Sequence, residues 1–194
     1  MLNCGAVAAP QERTLLVFGD SLSAAYGLQT DQGWVARLQK RLNDQGYGYR
    51  VVNASVSGET SSGGRARLQR ALDQHRPELV ILELGANDGL RGLPVKELEG
   101  NLRAMVAMIQ KTRAKLLLVG ILIPPNYGPR YTRSFADMYQ QIATSGSLPF
   151  LPFMLDGVAL ESRYMQQDGL HPNATGQPLV LENVWKQLQP MLTR

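Results

Sequence analysis

Leu15-Leu16-Val17-Phe18-Gly19-Asp20-Ser21-Leu22-Ser23 is the stretch whose reading decides the fold. Its apolar run reads as a buried strand that stops abruptly at Gly-Asp-Ser. Glycine tolerates a sharp backbone turn, while Asp and Ser hydrogen-bond locally and cap helices. A serine at the carboxyl end of a strand also sits where open α/β sheets place their ligand sites. On this stretch alone Ser21 is more simply a helix cap. The rest of the chain changes that balance.

Outward from it, short apolar runs alternate with amphipathic segments. Strands are expected over 14–18, 49–56, 79–84, 115–123 and, briefly, 150–153. Residues 33–43 carry Trp34, Val35, Leu38 and Leu42 at helical spacing, and helical spacing returns around 66–72, over 95–112, around 134–144 and over 175–192. The run Leu79-Val80-Ile81-Leu82-Glu83-Leu84 is nearly continuous in apolar side chains, as a parallel strand covered on both faces requires. The alternation predicts an α/β domain over 13–194, with about five mostly parallel strands and helices on both faces. Each strand but the last runs into a loop rich in Gly, Ser, Asn or Asp. In a parallel sheet those loops share one edge, so Ser21, Gly58 and Asn87 can meet despite their separation in sequence.

Composition narrows the partners. The 194 residues carry a net charge of +4, with basic residues scattered rather than blocked, which argues against a nucleic-acid surface. No apolar run is long enough to span a membrane. One cysteine, Cys4, excludes an internal disulfide and a multi-cysteine metal site. The small, apolar residues that open the chain include Ala6-Val7-Ala8, which fits the small-x-small form of a signal-peptidase site. A flexible segment over 1–12, a remnant of an export signal, is the expectation, with a periplasmic or secreted protein as its consequence.

A serine hydroxyl needs a neighbouring base before it attacks anything. The chain has two histidines. His75 ends a helix beside Arg76-Pro77, where a capping or surface role suits it. His171 lies in Gln167-Asp168-Gly169-Leu170-His171-Pro172-Asn173, where Asp168 can reach one imidazole nitrogen and leave the other facing outward. A tetrahedral oxyanion also needs donors. Gly58 can turn its backbone N–H toward it, and Asn87 carries an amide on the adjacent loop. Each also fits a turn or cap.

Together, Gly-Asp-Ser at 19–21, Gly58 in Asn-Ala-Ser-Val-Ser-Gly-Glu-Thr, Gly-Ala-Asn-Asp at 85–88 and Asp-Gly-Leu-His-Pro at 168–172 resemble the four blocks of the GDSL, or SGNH, hydrolase family. They stand in the same order, and the resemblance runs from about Leu15 to Leu192. It is nearest the bacterial branch of periplasmic esterases described as arylesterase, acyl-CoA thioesterase and lysophospholipase. The resemblance implies a flavodoxin-like three-layer α/β/α sandwich. It also implies Ser21 as nucleophile, His171 as general base and acid, and Asp168 orienting His171. The N–H groups of Ser21 and Gly58 and the Asn87 amide would form the oxyanion hole. No metal or cofactor is called for, and a monomer acting on a small acyl or aryl ester is expected.

Leu90, Leu93, Pro124, Pro125 and Tyr127, on loops that follow strands ending at the same edge, suggest a shallow apolar groove for an acyl chain or aryl ring. Two alternatives stay open. One is an acetylesterase of carbohydrates with the same fold. The other is a flavodoxin-like protein that binds phosphate through Thr60-Ser61-Ser62-Gly63-Gly64.

Overall fold

The apolar run at Leu15 forms strand β1 (Arg13–Gly19), with Leu15, Leu16, Val17 and Phe18 wholly buried. Removing such side chains from water contributes about 1.5–3 kcal/mol each, which anchors the strand at the middle of the fold. The computed structural model describes residues 13–194. The flexible segment and export-signal remnant expected over 1–12 lie outside the described residues.

The chain then runs through helix α1 (Trp34–Asp44), β2 (Tyr49–Asn53), α2 (Ser61–His75) and β3 (Leu79–Glu83). A short helix α3 (Ala86–Leu90) and the long α4 (Val95–Lys111) lead to β4 (Lys115–Val119). Helix α5 (Pro129–Gly146), the two-residue β5 (Phe150–Leu151) and α6 (Gln177–Leu188) complete the order. The strands form one parallel sheet in the order β2-β1-β3-β4-β5, the flavodoxin-like sequence of strands. Alternate residues of β1 and β3 point to opposite faces. Leu15, Val17, Leu79 and Ile81 pack with α1 and α6, whereas Leu16, Phe18, Val80 and Leu82 pack with α2, α4 and α5. The three layers expected from the alternation are therefore present.

Several boundaries differ from the sequence expectation, most of them for a local reason. β2 ends at Asn53 rather than Val56 because the Asn53 side chain turns back to accept from the Ser55 N–H and donates to the Ser23 carbonyl. Pairing with β1 nevertheless continues beyond it, through Ala54 N–H to Val17 and Val56 N–H to Gly19. The polar stretch Ser61-Ser62-Gly63-Gly64 is the first turn of α2, capped by Thr60, which accepts from the Gly63 N–H. β4 stops at Val119, short of the expected Ile123. α5 begins five residues before the expected 134, with Pro129 at its first position, where a missing N–H costs nothing. The last helix gives way to a 3-10 turn, Gln189–Met191, at Pro190.

What the topology does for function is set by the crossover. After β1 the chain goes to β2 on one side and to β3 on the other, so a crevice opens where the carboxyl ends of β1 and β3 diverge. Ser21 follows β1 by two residues, and Asn87 follows β3 by four.

Candidate active site

The turn after β1 is held by its own aspartate. Asp20 Oδ1 accepts from the Leu22 N–H at 3.0 Å, and the Asp20 carbonyl accepts from Ser23 and Ala24. This winds residues 20–24 into a tight turn and leaves Ser21 half-buried at the sheet edge. The Ser21 N–H has no backbone acceptor among the described residues. The same holds for Gly58, whose φ of +78° only glycine adopts without strain, although a Cβ there would meet no neighbour. The oxyanion role expected of these two amides needs this freedom.

Opposite Ser21 is the loop before α6. The Asp168 Oδ1 accepts from the N–H groups of Leu170 and His171 at 2.9 and 3.0 Å, and Oδ2 lies 2.7 Å from His171 Nδ1. His171 Nε2 lies 2.8 Å from Ser21 Oγ. A proton on Nδ1 satisfies both contacts: Nδ1–H donates to Asp168 and Nε2 accepts from the serine hydroxyl. Burial works against the Asp168 carboxylate, but the bonds from the His171 ring, the His171 N–H and the Leu170 N–H outweigh it and hold its pKa below the usual value. The acid therefore stays ionised beside the imidazole at neutral pH.

Asn87 lies in the first turn of α3, just past Gly85, whose φ of +127° and crowding by the Tyr139 hydroxyl exclude any side chain. Its amide donates to the Glu59 carbonyl at 2.9 Å and, at 3.3 Å, to Asp20 Oδ2. It thus spans the loop of Gly58 and the turn of Ser21, and the longer bond is the one an oxyanion would share. We expect Asn87→Ala to leave the fold intact and lower kcat by about 10²- to 10³-fold, the effect of losing one oxyanion donor. A loss under about threefold on an ester substrate removes Asn87 from the site. His75, half-buried at the end of α2, sits at the amino edge of the sheet, because a crossover helix returns the chain there. His75→Ala should change kcat by less than about twofold; collapse of activity in a folded variant would make His75, not His171, the base.

Of the residues expected in an apolar groove, Leu90, Pro124 and Tyr127 are half-buried, and Leu93 and Pro125 are exposed. The Tyr127 hydroxyl donates to the Leu90 carbonyl at 2.7 Å, and Tyr131 does the same to Leu93 at 2.6 Å, so the two loops are tied together. Arg91 donates to the Gly58 carbonyl at 3.2 Å and fixes them to the Gly58 loop. A cavity of about 430 Å³ has Tyr127, Tyr131, Arg130 and Pro94 in its wall, but neither Ser21 nor His171 lines it.

Several contributors escaped the sequence reading. Gln166 Nε2 donates to the Tyr26 carbonyl at 2.8 Å and the Pro172 carbonyl at 3.1 Å, clasping the serine-bearing and histidine-bearing loops. The Tyr26 ring packs on His171 with centroids 4.6 Å apart. Arg67 stacks on Phe18 and binds Glu59 and the Ala54 carbonyl, bracing the Gly58 loop from below. Asp20 and Glu83 are wholly buried side by side. Burial pushes the Asp20 carboxyl up to about 6, against the Leu22 N–H and the nearby imidazole. Burial, then the charge of Asp20, pushes Glu83 well above the carboxylate range. Glu83 alone had left a signal, a charge inside an apolar strand.

A parallel flavodoxin-like sheet, with a serine, an imidazole and a carboxylate in hydrogen-bond contact at its carboxyl edge, defines a serine hydrolase as the class of this protein. The chain belongs to the GDSL-like lipase/acylhydrolase family, whose sequence model matches residues 17–179. It is 54% identical over 180 residues to esterase TesA of Pseudomonas aeruginosa, across 93% of this chain and 90% of the relative. It is 42% identical to thioesterase 1/protease 1/lysophospholipase L1 of Escherichia coli K12, across 92% and 85%. Among solved structures it resembles the psychrotrophic esterase EstA of Pseudoalteromonas sp., inhibited by monoethylphosphonate. That match has a TM-score of 0.89 and 44% identity over 92% of this chain and 98% of that one. The chain is an ester hydrolase.

Proposed function

We propose that hydrolysis proceeds through an acyl-enzyme on Ser21. The observation that carries this reading is the unbroken contact from Ser21 Oγ through the His171 ring to Asp168. Ser21 Oγ attacks the ester carbonyl carbon while its proton passes to His171 Nε2. The resulting oxyanion is met by the N–H groups of Ser21 and Gly58 and by the Asn87 amide. Collapse breaks the bond to the leaving oxygen, or sulfur in a thioester, which takes the proton from Nε2. Water then gives a proton to Nε2, attacks the acyl carbon and releases the acid, restoring the Ser21 hydroxyl. Every proton moves through His171, and Asp168 remains ionised throughout.

The substrates are small molecules with an apolar acyl or aryl group, received by the tethered loops that carry Leu90, Leu93, Pro124, Pro125 and Tyr127. Support comes from their apolar side chains and from the Arg91 bond that sets them beside Gly58. Thioesters and lysophospholipids are included by likeness to the relatives named for those activities. A periplasmic or secreted location is supported by Ala6-Val7-Ala8 and by the resemblance to the exported branch. Among the described residues, no helix is long and apolar enough to cross a membrane. We take residues 13–194 as one domain that works as a monomer.

The test is labelling with an alkyl phosphonate, followed by peptide mass spectrometry, alongside hydrolysis of p-nitrophenyl esters from acetate to palmitate. The expected result is one adduct, on the peptide that holds Ser21, with loss of activity in proportion. An adduct on another residue, or full activity after complete labelling of Ser21, overturns the assignment. A profile confined to acetate would favour the acetylesterase alternative over longer acyl chains.

A further inference from the structure

Strand β3 is apolar from Leu79 to Leu82 and then carries Glu83, which has no exposed surface. The register sets Glu83 opposite Gly19, so its carboxyl lies against the turn that presents Ser21. Glu83 Oε2 accepts from the Asp20 N–H at 3.3 Å and from the Ser23 hydroxyl at 2.7 Å. A Cβ on Gly19 would stand 2.5 Å from that oxygen, so only glycine lets the turn close over it. Glu83 Oε1 has no hydrogen-bond partner among the described residues, and the Asp20 carboxyl is close enough for its charge to act on the Glu83 carboxyl.

Two adjacent carboxylates shut away from water do not both ionise. A neutral Glu83 fits the contacts present: Oε2 accepts as a carbonyl oxygen from the Asp20 N–H and the Ser23 hydroxyl, and the unpartnered Oε1 carries the proton. Asp20 is then the charged partner. Its Oδ1 takes the Leu22 N–H at 3.0 Å, and its Oδ2 takes the Asn87 amide at 3.3 Å.

We propose that Glu83 is a positioning residue. As a buried neutral acid it holds the Asp20 N–H and the Ser23 hydroxyl, and so fixes the turn in which the Asp20 carboxylate pins Leu22 with one oxygen and aims the Asn87 amide with the other. This rests on the roles given above to Ser21 and Asn87. The other groups facing the pair are the His171 imidazole, which favours ionised Asp20, and Asp88, which opposes it. The Tyr139 hydroxyl lies close enough to feel both carboxylates, and the Arg67 guanidinium reaches the Gly19 carbonyl. Ionised Asp20 also faces the imidazolium that forms when Ser21 attacks, so its charge is useful at the same moment.

The experiment is steady-state hydrolysis of a p-nitrophenyl ester by wild type, Glu83→Gln, Glu83→Leu and Ser21→Ala across the acid limb of the pH profile, with folding checked by near-ultraviolet circular dichroism. Glutamine keeps an acceptor oxygen and a donor nitrogen in the shape of the neutral acid. Its kcat should stay within about threefold of wild type, with the acid limb in place. Leucine keeps only the apolar volume. Its kcat should fall by about ten- to a hundredfold while KM moves less than about threefold. The acid limb should also move to higher pH, because a loosened turn weakens the Leu22 and Asn87 bonds that favour ionised Asp20. A role in stability alone would lower the melting temperature and leave the limb in place.

A loss of about tenfold or more in Glu83→Gln, or wild-type kcat with an unshifted limb in Glu83→Leu, overturns the proposal. If Glu83→Leu does not fold, Glu83→Gln decides by the same criterion. Activity in the wild type and its absence in Ser21→Ala keep the hydrolytic reading intact in either case, so the two failures are distinguishable.

Discussion

Ser21→Ala is expected to fold like the wild type and to lose about 10⁴-fold or more in kcat. The alanine removes one oxygen, and with it the only atom through which an acyl-enzyme can form in this mechanism. The turn that holds residue 21 is made by Asp20 and by backbone bonds, none of which uses the Ser21 hydroxyl. Ser21 is half-buried, so the change in stability should remain within about 1 kcal/mol. What activity remains would come from donors that still polarise the carbonyl for direct attack by water. The measurement is kcat on a p-nitrophenyl ester, with a thermal melt for each protein. Retention of more than about a tenth of wild-type activity in a folded variant would reduce Ser21 to a turn residue.

Asp168→Asn should cost about 10³- to 10⁴-fold in kcat at neutral pH, with KM little changed. Asp168 Oδ1 is occupied by the N–H groups of Leu170 and His171. An asparagine keeps its carbonyl oxygen there, which turns its NH2 toward His171 Nδ1 in place of the carboxylate oxygen 2.7 Å away. A donor at that position forces the ring proton onto Nε2. The ring can then no longer accept the Ser21 proton, although nothing has moved. Asp168 is part-exposed, with 36% of its side chain in solvent, so the fold should tolerate the change. A loss under about tenfold would show that the imidazole keeps its tautomer without this carboxylate.

Both predictions depend on residues that the sequence exposes unusually well. Gly19, Asp20 and Ser21 are consecutive, and Asp168 and His171 are three residues apart, so each half of the contact is local. Chemistry written locally leaves local traces. The clasp made by Gln166 left none, because its partners Tyr26 and Pro172 are brought to it by the packing of two loops 140 residues apart in one case. Arg67 is similar: on α2 it looks like any exposed helical arginine, yet it stacks on Phe18 and braces the Gly58 loop. The short helix α3 falls where the sequence predicts a polar loop, since five residues with Gly85 before them and Gly89 among them carry no periodicity to detect.

The sequence by itself determined the layers, the parallel sheet and the candidate Ser, His and Asp. Burial of continuous apolar runs, turn chemistry at Gly and Asp, and helical spacing are properties of neighbours along the chain. Tertiary structure alone decided which loops meet and how charge is kept in the interior. The register that sets Glu83 beside Gly19 and the crossover that opens the crevice between β1 and β3 arise only when the sheet assembles. A carboxyl in an apolar strand has its pKa pushed up by the environment that closes around it, and no spacing in the sequence encodes that environment.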